Sequence, residues 1–292
     1  MMSRRDRSDN MTPRPLLALH RAERDDIADL VTRRPLPNQR LDQLDPFLFL
    51  NHHGPQTYPP GNRGLPFGPH PHRGFETVTF ILAGNLMHRD TCGHESVIEA
   101  GGVQWMTAGS GLIHAELSPD AFKRSGGPLE ILQLWLNLPA RLKMSPPAYR
   151  GLQREEIPSF APADGVRLDL ISGSFAGHQG AISSLTGVAM ATVELAAGSA
   201  TRLEAASGRT IFFYLVRGRV EAGGAEVPQH HLAQFGDGDA IDVRASEDSL
   251  ILFGHADPIG EPVVAHGPFV MNSRAEIMQA VADYQAGKFG RM

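Results

Sequence analysis

Short runs of apolar and β-branched residues alternate with polar turns through most of the chain. Between residues 75 and 137 these runs read FETVTFIL, ESVIEA, VQWMTA, LIHAEL and LEILQLWLNL, with glycines or polar residues between them. None of the runs has the 3.6-residue hydrophobic period of a helix. Short strands at regular spacing, separated by turn residues, predict an all-β sandwich or barrel.

The same pattern returns in the second half of the chain. The runs VRLDLISG, VAMATVEL, TIFFYLVRGRVEAG, HLAQFG, AIDVRA and SLILFGHA follow one another after residue 165, which predicts two copies of one β-unit. A proline-rich segment, residues 139–165, separates the copies. We therefore expect a disordered tail at 1–14, an N-terminal barrel at 15–138, a connector at 139–165 and a C-terminal barrel within 166–292.

A helical pattern closes the chain. In SRAEIMQAVADYQAG, Ser273 and Glu276 have the spacing of a helix capping box, apolar residues recur at helical intervals, and Gly287 can end the helix. This segment predicts a C-terminal helix, which we assign to the C-terminal barrel domain.

A segment dense in glycine and proline precedes the first long apolar strand. Residues 51–69 read NHHGPQTYPPGNRGLPFGP, and such clusters are typical of loops. The sequence thus predicts that His52 and His53 lie in a loop, where solvation is their ordinary role and proton transfer at the mouth of a site is the alternative.

Composition narrows the class of protein without defining its function. The chain has 292 residues, is 41% hydrophobic and 20% charged, and has a net charge of −5. This is typical of a globular protein with an apolar core, and it does not favour direct binding to nucleic acid. No apolar run reaches the roughly 18 residues of a membrane helix. A single cysteine, Cys92, excludes an intrachain disulfide and indicates a reducing compartment, so we expect a cytoplasmic protein.

Two pairs of side chains have the spacing of metal ligands on strands. His70 and His72 lie one residue apart in GPHPHRGFETVTFILAG, and His114 and Glu116 lie one residue apart in GLIHAEL. Residues i and i+2 of a strand point to the same face, so each pair can point into one barrel interior. Burying these groups without a compensating ion would be costly. The spacing therefore predicts a metal site of three nitrogens and one oxygen.

Each of these residues also has a more ordinary interpretation. A histidine in a strand is more often exposed or hydrogen-bonded than a ligand, and Glu116 alone would be taken as an exposed acid. Glu76 is a competing oxygen ligand because it shares the parity of His72. If it does not ligate, it could orient a ligand through a hydrogen bond.

The second half lacks a comparable set of ligands. In the first half, His70 and His72 lie 14 and 12 residues before Gly84, and His114 and Glu116 lie 12 and 14 residues after Gly102. The same distances from Gly218 and Gly238 end on Glu204, Ala206, Leu250 and Leu252. We therefore expect the C-terminal barrel to bind no metal.

These motifs resemble the pirin family of the cupin superfamily. The resemblance is carried by HPHRGFETVTFILAG, GGVQWMTAGSGLIHAE, LQLWLNLP and GEPVVAHGPFVMN, and it extends from LDPFLFLNHHGP to the C-terminal helix. It implies a bicupin: two jelly-roll β-barrels packed face to face, with one divalent metal ion, foremost Fe(II), in the N-terminal barrel. The family's ligands carry over to His70, His72, His114 and Glu116. The ligand types alone suit Fe, Mn, Co, Ni, Cu or Zn.

The resemblance implies quercetin 2,3-dioxygenase activity, in which O2 opens the central ring of a flavonol, or of a related aromatic enol, with release of carbon monoxide. Glu116 is the candidate catalytic base, because a carboxylate beside the metal can take the proton of the flavonol hydroxyl. A flat aromatic substrate needs apolar walls. Candidates for these walls, which have ordinary barrel core as their commoner role, are Phe67, Phe75, Trp105 and Trp135.

A second class of function stays open from the sequence. Some pirins are regulatory binding proteins, or transcriptional co-regulators, in which the oxidation state of the metal alters a surface that binds a protein partner. A third possibility is another cupin reaction at the same metal, such as an isomerisation. The expected partners are thus a small aromatic substrate and O2, or a protein partner, with no direct contact to nucleic acid or membrane.

Overall fold

The computed structural model describes residues 11–292. Its strands in the first half of the chain are β1 (Leu16–Arg21), β2 (Glu23–Arg24), β3 (Thr32–Leu36), β4 (Phe47–Tyr58), β5 (Phe67–His72), β6 (Phe75–Ala83), β7 (Asn85–Asp90), β8 (Glu95–Glu99), β9 (Val103–Thr107), β10 (Leu112–Leu117), β11 (Gly127–Asn137), β12 (Ala148–Leu152) and β13 (Ser159–Phe160).

The later strands are β14 (Val166–Ser172), β15 (Ser174–Phe175), β16 (His178–Gln179), β17 (Ala189–Leu195), β18 (Ala200–Glu204), β19 (Thr210–Arg217), β20 (Arg219–Ala222), β21 (Ala225–Pro228), β22 (His231–Phe235), β23 (Ala240–Ala245), β24 (Ser249–Ala256), β25 (Val264–His266) and β26 (Phe269–Met271). The α-helices are α1 (Asp120–Ser125) and α2 (Arg274–Gln285), and Ala140–Leu142 and Arg154–Glu156 form short 3-10 helices.

The first compact unit consists of Glu23–Pro37, Asp45–Glu156 and Ile259–Met292. It contains the first barrel, which has a seven-stranded sheet in the order β12-β9-β6-β11-β4-β3-β2 and a four-stranded sheet in the order β5-β10-β7-β8. All neighbouring strands are antiparallel. Part of the interior is an apolar cluster that includes Ile81 and Ile131.

The second compact unit consists of residues 11–22, Asn38–Leu44 and Ile157–Pro258. It contains the second barrel, with a seven-stranded sheet in the order β1-β22-β19-β24-β17-β14-β13 and a four-stranded sheet in the order β18-β23-β20-β21. These strands are also antiparallel. The structure therefore confirms the all-β prediction and the repeat of one β-unit.

The unit boundaries differ from those expected at 15–138, 139–165 and 166–292. Strand β1 pairs with β22, so the described part of the chain passes through the second barrel before it enters the first. The predicted connector is not free of sheet structure, because β12 pairs with β9 and β13 pairs with β14. At the other end, α2 belongs to the first unit and not to the C-terminal barrel.

Most of the predicted tail, residues 1–10, lies outside the described residues. The last residue of that segment, Arg14, is buried and donates to the carbonyl oxygens of Ala206 and Gly236, at 2.7 and 3.0 Å. Pro13 forms a parallel bridge with Ala240. The prediction of a disordered tail is therefore wrong for Pro13 and Arg14, which are fixed against the second barrel.

The predicted loop at 51–69 is wrong at both ends, because residues 51–58 lie in β4 and residues 67–69 lie in β5. Strand β4 continues to Tyr58, and His52 and His53 within it are 0% and 1% exposed. The strand passes its glycine and proline because Gly54, with φ +85°, lies at a shift of register against β11. A bulge of this kind absorbs an irregular pair of residues without ending the strand.

The C-terminal helix is confirmed. Ser273 accepts the backbone N–H of Glu276 at 3.3 Å, as expected of the capping box, and α2 ends two residues before Gly287, which has φ +74°. Within the described part of the chain, neither this helix nor α1 is long and apolar enough to cross a membrane.

Candidate metal centre

Three histidines converge where β5 and β10 lie side by side. The register of this pair places His114 opposite His70 and Leu112 opposite His72. The ligating nitrogens of the three side chains all lie within 4.8 Å of one another, and their ring centroids are 4.3 to 4.9 Å apart. The structure therefore brings together the imidazoles that the alternating spacing selected.

Burial keeps two of these imidazoles, those of His72 and His114, neutral. His72 and His114 are 3% and 0% exposed, whereas His70 is half-buried and lies outermost. Burial, followed by the neighbouring histidines, lowers the pKa of His72 to about 3 and that of His114 well below its ordinary value. Neutral imidazoles have the free lone pair that a metal ion requires.

Hydrogen bonds orient two of the three rings. Nδ1 of His70 lies 2.7 Å from the Gly68 carbonyl oxygen, and Nδ1 of His72 lies 3.3 Å from that of Pro268. A carbonyl oxygen can only accept, so both Nδ1 atoms are donors, and in the neutral form of each ring the lone pair lies on Nε2. In His114 neither nitrogen has a hydrogen-bond partner among residues 11–292. Buried nitrogens without partners are costly unless a ligand occupies them, so this group fits a divalent metal ion.

Glu116 lies in the same barrel but outside the group of three histidines. Its side chain is 1% exposed. One carboxylate oxygen accepts from the Thr79 hydroxyl at 3.0 Å and from the Gln104 amide, and the other accepts from the Gln133 amide. All three donors are neutral side chains, so they orient the carboxyl group without forming an ion pair with it.

The competing ligand, Glu76, points away from the histidines. Thr79 on the same strand reaches Glu116, so by strand alternation the odd positions of β6 face the barrel interior and Glu76 faces the other side. The parity of His72 does not carry over because Gly74, with φ +89°, separates β5 from β6 and restarts the alternation. Burial raises the pKa of Glu76, and Thr107 donates to its carboxyl at 2.6 Å.

Two of the four expected wall residues contact the site. The rings of Phe75 and Trp135 lie 5.0 and 5.4 Å from that of His72. Phe49, which no sequence motif indicated, stacks on Trp135 at 4.7 Å. Phe67 instead contacts His53 at 5.2 Å.

Trp105 was expected in the wall and is not found there. The preceding residue, Gln104, points inward to Glu116, so alternation places Trp105 on the opposite face of β9.

A further polar group beside Glu116 was not foreseen. His88 lies directly opposite Glu116 on β7, is 0% exposed, and its Nε2 lies 3.0 Å from the Asp90 carboxylate. Its ring stacks on Tyr149 at 4.0 Å, and the Tyr149 hydroxyl donates to Gln104 at 3.2 Å. His88 and Asp90 have the same i, i+2 spacing as the two pairs that were identified, so the signal was available in NLMHRD.

The second barrel has different side chains at the corresponding strands. Judged by sheet order, β18 and β23 take the places of β5 and β10. The interior positions of these two strands include Leu203, Ile241 and Val243. The prediction that Leu250 and Leu252 correspond to His114 and Glu116 was wrong. Both leucines lie on β24, whose position in the sheet corresponds to that of β11 and not of β10.

The other pair from that count lies on or beside β18. Glu204 is the last residue of this strand and is exposed, and Ala206 lies beyond the end of the strand. Neither residue is in the apolar interior, whose β18 side is formed by Leu203 and the following Ala205.

Two barrels of one topology, the first enclosing a buried group of three histidines, define a bicupin with a candidate metal centre. Comparison with known families agrees with this assignment. The family model described as Pirin matches residues 29–136, and the model described as Pirin C-terminal cupin domain matches residues 190–290. The chain belongs to the pirin family.

Individual relatives cover nearly the whole chain. A Pseudomonas aeruginosa protein named "Putative quercetin 2,3-dioxygenase PA2418" is 38% identical over 85% of this chain and 87% of its own length. The Homo sapiens protein named Pirin is 38% identical over 88% of this chain and 87% of its own length. A crystal structure of quercetin 2,3-dioxygenase from Acinetobacter baumannii is 32% identical, has a TM-score of 0.88, and covers 95% of this chain and 99% of that one.

Proposed function

We propose that this protein is a metal-dependent dioxygenase of the pirin type, acting on a flavonol or a related aromatic enol in the manner of quercetin 2,3-dioxygenase. One observation carries the proposal. Three imidazoles meet, one of them, His114, has no hydrogen-bond partner for either nitrogen among the described residues, and a buried carboxylate held by three neutral donors lies in the same barrel.

The proposed ligands of one divalent ion, foremost Fe(II), are His70, His72, His114 and Glu116. The Nε2 atoms of His70 and His72 are the proposed ligating atoms, because their Nδ1 atoms donate to backbone carbonyls, and Glu116 supplies the oxygen ligand. When bound, the ion would supply Lewis acidity and coordination positions for the substrate oxygen and O2.

Glu116 is also the proposed base. The hydroxyl of an aromatic enol has to lose its proton before the ring can be opened, and a carboxylate within hydrogen-bond reach can accept it. The amides of Gln104 and Gln133 and the hydroxyl of Thr79 hold this carboxylate in one orientation. Because all three are neutral, none of them forms an ion pair that would compete with the substrate proton for this carboxylate.

The surroundings of His72 suit a flat apolar ligand. Phe49, Phe75 and Trp135 form a continuous set of aromatic contacts beside this ring. His70 is the most exposed of the three histidines, so we place the approach of substrate on its side. The single, exposed cysteine is consistent with a reducing, cytoplasmic setting.

The test is turnover of quercetin by protein of known metal content. Apo protein is loaded with Fe(II) under nitrogen and mixed with quercetin in air, while loss of the flavonol absorption band and release of carbon monoxide are followed. We expect His70→Ala to lose metal and turnover together. Glu116→Gln should lower the rate by about a hundredfold or more, the usual contribution of a positioned base. A matched control is His178→Ala, at an exposed histidine of the second unit.

The opposite outcome would favour the regulatory class of function. If the protein binds one ion per chain, yet consumes no flavonol with Fe, Mn, Co, Ni, Cu or Zn, the dioxygenase proposal fails. A redox-sensing protein that binds a protein partner would then be the better account of the same centre.

A further inference from the structure

We infer that the C-terminal segment, residues 264–289, is a working part of the metal centre, and that Lys143 is the positioning residue that ties it to the turn after His72. This inference rests on the proposed metal-binding function. It extends that function to residues far from the ligand motifs in sequence.

The segment contacts the His72 ligand directly. The Pro268 carbonyl oxygen accepts from Nδ1 of His72 at 3.3 Å and from the backbone N–H of Arg73 at 3.4 Å. The backbone N–H of Val270 donates to the Arg73 carbonyl at 3.1 Å, and Arg73 and Phe269 form a parallel bridge. The C-terminal segment therefore decides which nitrogen of His72 carries the proton, and so which nitrogen is free to ligate.

Lys143 holds the two parts together. Its side chain is only 1% exposed. Its Nζ donates to the carbonyl oxygens of Gly74 and Val270, each at 3.0 Å, and to the side-chain oxygen of Asn137 at 2.8 Å. An ammonium group has three N–H donors, and all three are satisfied. Two donate to the backbones on either side of the junction, and the third donates to Asn137 on β11. Fully buried lysines are rare unless their donors are satisfied in this way.

The two backbones at the junction lie too close together for a side chain between them. Gly74 has φ +89°, and a Cβ at this position would overlap the Val270 carbonyl oxygen. A glycine is therefore required both by its conformation and by the close approach of the segment. The ammonium of Lys143 lies between the carbonyls of these two residues.

Arg73 attaches the same turn to α2. Its guanidinium donates to the Ser110 carbonyl at 2.7 Å and to the Asp283 carboxylate at 2.8 Å, and it lies over the ring of Phe289 at 4.6 Å. Hydrogen bonds from Lys288 and then Arg73 lower the pKa of Asp283. The residue that follows His72 is thus held by a charged pair on the C-terminal helix.

The segment also reaches the second ligand strand. Thr91 donates to the Phe289 carbonyl at 2.7 Å and accepts from the backbone N–H of Ile113 at 3.1 Å. Ile113, the residue before His114, packs against the cluster formed by Phe269 and Phe289. Both strands that carry the histidines are consequently braced by residues near the C-terminus.

The test measures metal affinity separately from stability. Full-length apo protein and its Lys143→Met variant are titrated with Co(II) by calorimetry, and the visible absorption of the bound cobalt is recorded. Removing a partner that orients a ligand typically weakens metal binding by about 10–100-fold, so we expect a loss of this size together with an altered cobalt spectrum. Lys123→Met is the matched control, because Lys123 pairs with Asp120 at the surface, away from the histidines.

A milder variant keeps the inference testable if Lys143→Met does not fold. Asp283→Asn leaves the side-chain shape intact and weakens its pair with Arg73, so a smaller loss of Co(II) affinity in the same direction is expected. If the variants lower the melting temperature but bind Co(II) as tightly as the parent, the segment is only structural and the inference is overturned. If the parent protein itself binds no Co(II), Ni(II), Zn(II) or Fe(II), the failure lies in the proposed metal function.

Discussion

The two barrels of this chain share a strand order and differ in what fills them. In the first, β5, β6, β9 and β10 direct histidines, a glutamate, a threonine and a glutamine toward a common interior. In the second, the corresponding strands β18, β19, β22 and β23 contribute apolar side chains, among them Leu203, Phe213, Ala233 and Ile241. The same arrangement of strands thus supports two kinds of interior.

The difference shows which residues the fold requires and which it tolerates. The second barrel is held by apolar packing, so buried polar groups are not a condition for this topology. In the first barrel such groups carry a cost, because a buried polar atom without a partner loses its hydration. A bound ligand would offset this cost by giving the buried polar atoms a partner. Function resides in sites built on a fold and not in the fold itself.

Removing a large side chain from the apolar interior should have the largest effect on stability. Phe213 is 0% exposed and packs edge-on against Phe235 at 5.5 Å. Phe213→Ala should lower the free energy of unfolding by about 3–5 kcal/mol, the usual cost of such a cavity. Guanidinium unfolding of the apo protein measures this loss, and calorimetry at a temperature where the variant stays folded measures its metal affinity.

The comparison predicts that metal affinity will not follow this loss of stability. The control is Phe175→Ala, a partly buried side chain at the edge of the same cluster, which should cost less. If Phe213→Ala weakens metal binding by the folded protein as well, the two interiors are not independent and the contrast drawn between them is mistaken.

Replacing a polar side chain of the first interior by an apolar one should change the free energy of unfolding by a smaller amount, and should raise it. Among the described residues neither ring nitrogen of His114 has a hydrogen-bond partner. His114→Leu removes both buried polar atoms, and we expect the free energy of unfolding of the apo protein to rise by about 1–3 kcal/mol. Metal content after purification should fall from about one ion per chain to nearly none. Unfolding curves and elemental analysis measure the two quantities.

A higher free energy of unfolding together with a loss of metal would show that His114 binds the ion and destabilises the apo protein. His178→Leu, at an exposed position of the second unit, should leave the metal content unchanged. A His114→Leu protein that is less stable than the parent, with no change in metal content, would contradict the assignment of this histidine as a ligand.

The sequence predicted the features that depend on local alternation. The strand runs, the repeat, the capping box of α2 and the convergence of His70, His72 and His114 all follow from spacings within a few residues. The resemblance to the pirin family identified the specific family, which these spacings alone do not. Glu76 was weighed as a ligand because its parity was counted across Gly74, where the strand ends and alternation begins again.

Features that depend on distant pairing were not predictable in this way. Strand β1 joins β22 across more than 200 residues, and α2 belongs to the unit formed by the first barrel. The contact of Pro268 with His72 belongs to the same class. The continuation of β4 past Gly54 and Pro55 was missed because the bulge that permits it depends on the register of the neighbouring strand β11.

The smallest predicted effect concerns acid stability, and it depends on one histidine in each unit, His53 and His255, whose pKa is lowered by burial. In the first barrel His53 is 1% exposed, its Nδ1 lies 2.9 Å from the Thr32 hydroxyl, and its Nε2 has no partner in the described chain. Burial, with smaller effects from His52 and Arg34, lowers its pKa to about 3. In the second unit burial and then Arg209 lower the pKa of His255 to about 4.

The sign of the effect follows from where the proton binds. Between pH 6.5 and 3 the unfolded chain holds a proton on His53 that the folded chain does not, so stability falls as the pH is lowered through this range. One proton changes the free energy of unfolding by about 1.4 kcal/mol per pH unit. His53→Leu should therefore reduce the slope of apo stability between pH 6 and pH 4.5 by up to this amount, and His255→Leu should do the same for the second unit. Guanidinium unfolding at several pH values measures the slopes, and an unchanged slope in His53→Leu would mean that His53 is protonated in the folded protein.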